Sequence, residues 1–301
     1  MMSTKKRAPE FKEASYVEHA KFDPKGYQDR TCRNHFWIGG AQGQEELRKL
    51  RIGVAGMGGM GANIANHLVR LGVGHLRIAD PDTIEATNLN RQVIARRESL
   101  GAGKVETAIR DLRGIAEDFD LIAYDQGITE SMVEEFVDGC DAIVDEIDVY
   151  QLETHVALHR AARARGLPLY STYAVGFGIH FYKFHGEHFI FEDFLGNDPS
   201  QWKRPSAEFL LEQIGKPYPT YIDARREKGF ADEIRSGGTP IFGPATLLGQ
   251  AMVTMRMVLD LLSASGIPPD ALGGQVPTPV MPEFLVLDPA DLTLKTVRAP
   301  G

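Results

Sequence analysis

Short apolar runs and longer amphipathic stretches alternate through residues 51–172. The apolar runs have the length of strands buried on both faces of a sheet, and they lie at 51–55, 75–79, 119–124, 141–145 and 168–172. Between them, helices are predicted at 60–71, 103–116, 129–138 and 150–165. Such alternation is typical of a mainly parallel sheet covered by helices on both faces. The pattern therefore predicts an α/β fold with a doubly wound sheet.

The pattern changes after Gly176. Alternating residues at 180–185 and 188–191 predict an antiparallel hairpin with Gly186 near its turn. Residues 193–236 are polar and contain proline, with one helix at 206–214, and they form either a crossover segment over the site or a partly disordered stretch. A buried helix at 245–263 and a final strand at 284–288 complete a C-terminal antiparallel extension.

These elements divide the chain into three parts. Residues 1–50 form an N-terminal arm and lead-in helices, 51–175 form a nucleotide-binding domain, and 176–301 form a substrate-side extension of that domain. A length of 301 residues suits one large α/β domain or two small ones. The third part includes an insertion at 193–236, which is predicted to cross over the nucleotide site.

Composition narrows the class of protein. A hydrophobic content of 43% and a charged content of 25% are typical of a globular protein. The formal net charge of −8 argues against a large non-specific nucleic-acid surface. No run of 18 or more apolar residues predicts a membrane span, and residues 1–22 lack the apolar core of a signal peptide. We therefore expect a cytoplasmic protein that is not inserted in a membrane.

A glycine-rich turn follows the first strand of the alternating segment. Residues 51–61 read RIGVAGMGGMG, and the next strand ends at Asp80. Glycines let the backbone turn tightly and approach phosphate, and the N-terminus of the following helix supplies N–H donors. An acid about 20 residues beyond such a turn is placed to bind ribose hydroxyls. The unit predicts a Rossmann-like nucleotide site in preference to a purely structural turn.

Further polar residues follow this unit in a defined order. Asn88, Arg91 and Gln92 come from the run NLNRQ, and Lys104 ends the run GAGK. Taken singly, an arginine and a lysine are most often solvated surface charges. The whole order resembles the ThiF/MoeB/HesA family, the bacterial relatives of ubiquitin-activating enzymes, whose pattern is GxGGxG, Asp, N-x-x-R-Q and G-x-x-K. A nicotinamide-dependent oxidoreductase shares the glycine turn but leaves Arg91 and Lys104 unexplained.

The resemblance covers roughly residues 28–180 and 237–290. Residues 30–34 resemble the family's R-Y-x-R-Q segment, and residues 43–50 resemble its GQ-x-x-L lead-in helix. The run from Asp145 to Asp148 is similar to its D-x-x-D strand end, although Val149 stands where the family usually has asparagine. That departure concerns the substrate side of the site.

The resemblance implies ATP-dependent adenylation of a carboxylate with release of pyrophosphate. In this pattern Arg91 and Lys104 neutralise the β- and γ-phosphates, Asp148 holds Mg²⁺, and Asp80 binds the ribose. Arg33 would enter the site of a neighbouring subunit, so a homodimer is expected. The other nucleotide-contacting positions that the resemblance implies are Gly56, Gly58, Gly59, Gly61, Asp82, Asn88 and Gln92.

Cysteine usage constrains the mechanism. Cys32 and Cys140 are the only cysteines, so the four-cysteine zinc site of many relatives is impossible and no structural zinc is expected. No cysteine follows residue 140, where the family's thioester cysteine would lie. His155 and His159 lie four residues apart, as two metal ligands might, but without a third ligand we interpret them as ordinary helix residues.

The acceptor of the adenylate has several candidates. The resemblance favours the C-terminus of a small ubiquitin-like or sulfur-carrier protein, or of a peptide used in natural-product synthesis. A threonylcarbamoyl-modified adenosine in tRNA is an alternative, which the acidic charge balance weighs against. A non-catalytic nucleotide-binding scaffold is a further alternative, although it would have no need to retain Arg91, Lys104 and Asp148.

Overall fold

A nine-stranded mixed sheet forms the centre of the protein. The computed structural model describes residues 11–299 except 197, 204, 214–215, 224–228 and 275. The strands are Tyr16–Glu18 (β1), Arg51–Ala55 (β2), His75–Ala79 (β3), Asp120–Tyr124 (β4), Ala142–Asp145 (β5), Leu169–Val175 (β6), Gly178–Phe184 (β7), Glu283–Asp288 (β8) and Thr293–Arg298 (β9). Their order across the sheet is β1-β4-β3-β2-β5-β6-β7-β8-β9.

The middle of the sheet is parallel and both edges are antiparallel. Strands β4, β3, β2, β5 and β6 run in the same direction, whereas β1 and the series β7, β8 and β9 are antiparallel to their neighbours. The described helices are Pro24–Thr31 (α1), Gly40–Lys49 (α2), Gly61–Leu71 (α3), Lys104–Arg113 (α4), Val133–Val137 (α5), Leu152–Ala164 (α6), Phe191–Phe194 (α7), Pro199–Trp202 (α8), Ala207–Gln213 (α9), Thr220–Asp223 (α10), Ala231–Arg235 (α11) and Gly243–Ala264 (α12).

Two apolar clusters cover the two faces of the sheet. One joins the sheet to α2, α3, α4 and α12, and the other joins it to α5, α6 and the short helices α7 to α9. Alternate residues of β5 supply both faces, since Val144 belongs to the first cluster and Ile143 to the second. The predicted fold class, a doubly wound and mainly parallel sheet with an antiparallel extension, is confirmed.

The late helix is longer than predicted. Helix α12 spans 22 residues, which is long and apolar enough to cross a membrane, but more than half of its apolar window is buried inside the protein. It packs on α3, β6 and β7. Its apolar composition is therefore that of a core helix.

The predicted hairpin at 180–185 and 188–191 is wrong. Strand β7 pairs instead with the preceding β6, from Leu169 opposite Phe184 to Val175 opposite Gly178. Gly176, at a φ of +64°, and Phe177 form the tight turn between them. Residues 188–190 follow no strand pairing, and α7 begins at Phe191. Gly176 provides the shorter turn, which places β6 along one edge of β7. The other edge of β7 pairs with β8.

Two edge strands were missed by the sequence analysis. Residues 16–18 pair with β4, and residues 293–298 follow β8, so the strand predicted at 284–288 is not the final one. Both missed strands lie at the edges of the sheet and are largely exposed, so they lack the apolar runs that marked the central strands.

Candidate functional site

A cavity of about 900 Å³ opens at the carboxyl ends of the parallel strands. This is the edge where ligands bind in open α/β sheets. Most of the predicted site residues line the cavity, namely Gly56, Gly58, Gly59, Asp80, Asp82, Asn88, Arg91, Gln92, Lys104 and Asp148. Gly61 lies behind the turn, and Arg33 is not among the residues that line the cavity. Positions spread over about 90 residues of sequence thus meet at one volume.

The glycine turn joins β2 to α3 in close contact with the neighbouring strand. Gly56 has a φ of +91°, and a Cβ there would lie 2.1 Å from the carbonyl oxygen of Glu146. A Cβ on Gly61 would lie 1.8 Å from the carbonyl oxygen of Gly56. Gly58 differs, because the nearest atom to its Cβ would be Gln92 Nε2 at 3.9 Å. The outer glycines are required by packing, and Gly58 keeps the cavity wall open.

Asp80 holds the glycine turn from the end of β3. Its two carboxylate oxygens accept hydrogen bonds from the Met57 N–H at 2.6 Å and the Asp82 N–H at 2.8 Å. Burial raises the pKa of Asp80, while the nearby Lys104 ammonium opposes this. The side chain therefore fixes the turn, and the remaining lone pairs of its oxygens face the cavity.

Lys104 stands at the first position of α4 with its ammonium in the cavity. Its Nζ lies 2.7 Å from Asp82 Oδ2 and 3.7 Å from Asp80 Oδ1. The backbone N–H of Lys104 donates to the Asp82 carbonyl at 2.9 Å, which ties the start of the helix to the loop after β3. The stem is buried, so the cation is held in place and not free in solvent.

The NLNRQ run wraps the opposite side of the cavity. Asn88 is buried, and its Oδ1 accepts the Glu85 N–H at 3.0 Å, so this side chain shapes the loop. Arg91 donates to the Thr87 carbonyl at 3.0 Å. Burial lowers the pKa of Arg91, and Asp148 opposes that shift. The guanidinium therefore lies within electrostatic reach of Asp148.

Gln92 carries a polar atom that lacks a partner. Its side chain is 5% exposed and lines the cavity beside Gly58. Its Oε1 is buried without a hydrogen-bond partner among the described residues. The Nε2 of the same amide is the atom nearest to a Cβ built on Gly58, so the amide nitrogen is the Gln92 atom beside the glycine turn.

The loop between β5 and α6 brings Asp148 to the cavity. Asp148 is exposed, and its Oδ1 accepts the Tyr150 N–H at 3.0 Å. Asp145, three residues earlier, points away into the protein and is 1% exposed. Its carboxylate accepts hydrogen bonds from His155 and His159. The expectation that the two histidines have no third partner is therefore wrong, because the strand-end Asp145 completes the cluster.

Glu146, a strand-end carboxylate that the sequence analysis did not choose over Asp148, also lines the cavity. Its Oε1 accepts hydrogen bonds from the Thr172 N–H at 3.1 Å and the Thr172 hydroxyl at 3.0 Å. Burial raises the pKa of Glu146 well above its ordinary value. The signal in the sequence was an acid inside an otherwise apolar strand end, but only the pairing of β5 with β6 places it against Thr172.

The crossover segment closes one side of the cavity. The Tyr150 hydroxyl lies 3.1 Å from the Ile234 carbonyl and 2.9 Å from the Gly238 carbonyl. The Tyr221 hydroxyl accepts the Phe177 N–H at 2.9 Å and donates to Asp288 at 2.7 Å. Residues 218, 230, 233–234 and 237–241 line the cavity beside Asp148. Described residues of the segment 193–236 thus contribute to the cavity wall beside Asp148.

The cavity wall carries more carboxylates than cationic side chains among the described residues. Among the described residues that line it, the cations are Arg91 and Lys104. The carboxylates are Asp80, Asp82, Glu85, Glu146, Asp148 and Glu233. A polyphosphate placed here would need more positive charge than one chain supplies at the wall, so a divalent cation or a group from another chain has to contribute.

Arg33 lies on the exposed turn Cys32–Trp37 that follows α1. The two aromatic residues of this turn, Phe36 and Trp37, are 82% and 71% exposed and pack edge to face on each other. Two neighbouring aromatic side chains with that exposure are unusual on a monomer surface. The geometry keeps Arg33 out of its own chain's cavity lining and beside an apolar surface.

The ThiF family model matches residues 31–276 of this chain. The SAMP-activating enzyme E1 of Haloferax volcanii is 34% identical over 150 residues, which cover 49% of this chain and 52% of that protein. The tRNA threonylcarbamoyladenosine dehydratase of Bacillus subtilis is 33% identical over 141 residues, covering 46% and 54%. The sulfur carrier protein ThiS adenylyltransferase of the same organism is 33% identical over 145 residues, covering 47% and 43%. The match spans about half the length of each relative.

One solved structure shows the extent of the shared fold. Escherichia coli MccB, solved with MccA-N7isoASN, has a TM-score of 0.64 at 18% identity, covering 92% of this chain and 74% of that one. The likeness covers almost the whole chain. At this identity it bears on the fold alone.

Proposed function

The chain belongs to the ThiF family, and we propose from its site that it is an ATP-dependent adenylyltransferase. The family match confirms the resemblance noted in the sequence. The observation that carries the proposal is the meeting of the glycine turn, Arg91, Lys104 and Asp148 at one cavity. A dinucleotide site needs the turn and the acid of β3, whereas the two cations and Asp148 suit a triphosphate with its metal ion.

In the proposed reaction a carboxylate oxygen of the substrate attacks the α-phosphorus of ATP. A new bond forms between that oxygen and the α-phosphorus, the bond from the α-phosphorus to the β-phosphate oxygen breaks, and pyrophosphate leaves. The barrier comes from repulsion between anions and from the charge that develops on the phosphates, so fixed cations supply most of the catalysis. Arg91 and Lys104 would hold the β- and γ-phosphates.

The residues present fit ATP and Mg²⁺. The Gly58 surface is open where a side chain would fill the cradle, with the nearest atom to an added Cβ 3.9 Å away. Asp148 offers an exposed carboxylate oxygen of the kind that Mg²⁺ prefers. The ion would neutralise phosphate charge in a cavity wall that is otherwise rich in carboxylates. Asp80 and Asp82 would bind the ribose side of the nucleotide.

For the acceptor we propose the C-terminus of a small ubiquitin-like or sulfur-carrier protein, or of a peptide. The ThiS adenylyltransferase among the relatives supports this choice. The dehydratase among them supports modified tRNA as the second candidate, and the net charge of −8 weighs against it. Because no cysteine follows residue 140, the adenylate would pass to a nucleophile other than a cysteine in that part of this chain.

We also propose that two chains assemble and that Arg33 completes the partner's site. Support comes from the exposed aromatic pair beside Arg33 and from the excess of carboxylates at the cavity. The test mixes Arg33→Ala with Lys104→Ala after each has been purified separately. Mixing two inactive variants should restore about a quarter of wild-type activity, because half of the dimers are then mixed and each holds one intact site. A mixture that stays inactive would refute the proposal that Arg33 completes the partner's site.

The nucleotide proposal is tested by thermal stability with Mg²⁺ and ATP, GTP or NAD⁺. A ligand at about 100 times its Kd adds about 2.7 kcal/mol, which corresponds to a rise of about 5 °C in Tm for a chain of this size. Mg-ATP should stabilise the wild type and not Arg91→Ala. The exposed Arg97→Ala is the matched control, since it removes the same side chain away from the cavity. Stabilisation by NAD⁺ alone would favour an oxidoreductase, and no shift with any nucleotide would refute nucleotide binding at this cavity.

The acceptor is then identified by ATP–pyrophosphate exchange. A small carrier protein ending in Gly-Gly, a short peptide and modified tRNA are supplied one at a time. Exchange that depends on the carrier protein or the peptide supports adenylation of a C-terminal carboxylate. ATP consumption that depends on tRNA alone would replace that acceptor with the modified nucleoside.

A further inference from the structure

A buried cluster joins the end of β5 to α6 directly beneath the loop that carries Asp148. His155 Nδ1 lies 2.6 Å from Asp145 Oδ2, and His159 Nε2 lies 3.0 Å from the same oxygen. Asp145, His155 and His159 are 1%, 0% and 4% exposed, respectively. Because the three side chains are buried, their hydrogen bonds form at low dielectric and do not compete with hydrogen bonds to water.

His155 makes a second contact that His159 does not share. Its Nε2 lies 3.2 Å from the backbone carbonyl oxygen of Asp148. A carboxylate and a carbonyl both accept hydrogen bonds, so the ring satisfies both partners only when both of its nitrogens carry a proton. Both contacts, at 2.6 Å to Asp145 and 3.2 Å to Asp148, lie within hydrogen-bonding distance. The ring is thus a bridge between two points of one loop.

His159 serves a different purpose in the same cluster. It stacks on Phe191 with ring centroids 4.1 Å apart, and its one hydrogen bond in the cluster ends at Asp145. Burial lowers the pKa of His159. The two histidines are therefore alike in burial, helix and partner, and they differ in the contact with Asp148.

The geometry favours hydrogen bonding over a metal site. Both histidine nitrogens converge on a single carboxylate oxygen at hydrogen-bonding distances, and Nε2 of His155 is already directed at a carbonyl. A zinc ion needs nitrogen lone pairs and four ligands, whereas the described residues bring together three candidate groups. The cluster is a support for the loop above it.

Residues 146–148 span the distance between the two ends of the His155 bridge. Asp145 Oδ1 also accepts the Ile147 N–H at 3.2 Å, and the Asp148 carbonyl accepts the Gln151 N–H at 2.9 Å. The His155 ring is the connection that joins these two local turns to each other across the loop. Without it the Asp148 backbone would be held by the following turn alone.

We infer that His155 is a positioning residue that fixes Asp148 for the metal-bound nucleotide by bridging the Asp145 carboxylate and the Asp148 carbonyl. The inference rests on the proposed role of Asp148 as a Mg²⁺ ligand. A ligand carboxylate that is held in place loses less freedom when it binds the ion, so ion binding and nucleotide binding reinforce each other more strongly.

The test compares His155→Asn with His159→Asn. Asparagine places its amide nitrogen near the position of Nδ1, so H155N retains a donor toward Asp145 and loses the contact with Asp148. H159N loses the contact with Asp145 and leaves Asp148 untouched. Both variants remove a buried ring from α6, so both should lower the Tm of the protein without nucleotide.

The readout is the factor by which Mg²⁺ tightens ATP binding, obtained by calorimetry with saturating Mg²⁺ and with EDTA. H155N should reduce this factor about tenfold, and H159N should leave it within about threefold of the wild type. Hydrogen exchange of the 146–151 segment without nucleotide should rise in H155N and not in H159N. Equal behaviour of the two variants in both measurements would overturn the inference.

The remaining outcomes separate this inference from the proposed function. A wild-type protein that binds ATP with no dependence on Mg²⁺ would overturn the role of His155 and leave nucleotide binding standing. A wild-type protein that binds no ATP would overturn the proposed function itself. If H155N does not fold, His155→Gln retains a donor near the Nε2 position but loses the contact with Asp145, so it should also reduce the factor about tenfold; a factor within about threefold of the wild type there would overturn the bridge.

Discussion

Two glycines of the turn, Gly56 and Gly58, should differ in what they lose when each is replaced by alanine: Gly56 stability and Gly58 ATP affinity. Gly56→Ala and Gly58→Ala each add one methyl group within three residues of each other. At Gly56 the methyl meets the backbone of the β5–α6 loop, whereas at Gly58 it enters the cavity. The pair therefore separates what the turn does for folding from what it does for ligand binding.

The cost at Gly56 has two parts. A side chain at a φ of +91° costs about 1–2 kcal/mol, because the Cβ approaches the following carbonyl in left-handed backbone. The added Cβ would also lie 2.1 Å from the Glu146 oxygen and 2.9 Å from the Ile147 nitrogen, so the loop must shift, which costs about 1–3 kcal/mol. The sum is about 2–5 kcal/mol, or a fall of about 4–10 °C in Tm at about 2 °C per kcal/mol.

The cost at Gly58 is expected to be small. Its φ is not in the left-handed region, and the nearest atom to an added Cβ is 3.9 Å away. Replacing glycine by alanine at a compatible position changes stability by less than about 1 kcal/mol and can raise it. The methyl group would nevertheless stand where phosphate oxygens approach the backbone, so ATP affinity should fall at least about tenfold.

Calorimetric or fluorescence melting with and without Mg-ATP measures both effects in one experiment. Gly58→Ala should melt within about 2 °C of the wild type and show at most about half of the wild-type ATP-dependent rise. Gly56→Ala should melt several degrees lower. If Gly58→Ala binds ATP as well as the wild type does, the turn is not the phosphate cradle; an unchanged Tm for Gly56→Ala would contradict the packing against Glu146.

Three further substitutions test other parts of the structure. Asp80→Asn should destabilise the protein by about 1–3 kcal/mol in urea unfolding, because the amide presents an NH2 donor to one of the two backbone N–H groups, of Met57 and Asp82, that the carboxylate accepts, and ATP affinity measured by calorimetry should fall about tenfold or more. Asp120→Asn should destabilise the protein by about 1–2 kcal/mol at neutral pH, because the hydrogen bond from His75 lowers the pKa of Asp120 from 3.8 to about 2. Solvent screening of the partly exposed carboxylate reduces the stabilisation that this pKa shift would otherwise give. That contribution is present above the unfolded pKa and is lost as pH falls through the folded one, so urea unfolding should show the difference shrinking between about pH 4 and 2; a constant difference would refute the assignment. Asp260→Asn should cost about 2–4 kcal/mol in urea unfolding, because it leaves the largely buried Lys183 without its charge partner at 2.8 Å, and ATP affinity should not change, since neither residue lines the cavity.

The central part of the fold was predictable from the sequence because its signals are local. Strands β2, β3 and β5 are short apolar runs buried on both faces, and the helices between them have the matching period, so strand and helix type follow from near neighbours. The glycine turn is equally local, since Gly56 and Gly61 are required by contacts of the strand–turn–helix unit and its neighbour. The family pattern then placed Arg91 and Lys104 at the same site.

Pairing partners were decided by the tertiary structure. The residues predicted as a hairpin around Gly186 could alternate equally well in two registers, and the turn at Gly176 with the free edge of β8 selected the other one. Strands β1 and β9 are exposed edges without apolar runs, so backbone pairing with β4 and β8 is what makes them strands. Such choices depend on atoms far apart in sequence.

Side-chain roles at the site divide in the same way. Residue types and spacing predict a glycine turn of the nucleotide-binding kind and an acidic strand end, and the family resemblance assigns Arg91 and Lys104 to the phosphates. Only the fold decided that Asp145 turns inward to His155 and His159 while Asp148 faces the cavity, and that Glu146 meets Thr172 across the sheet. The reason is that a local pattern specifies which groups a segment carries, whereas the packing of distant strands and helices specifies which of those groups meet.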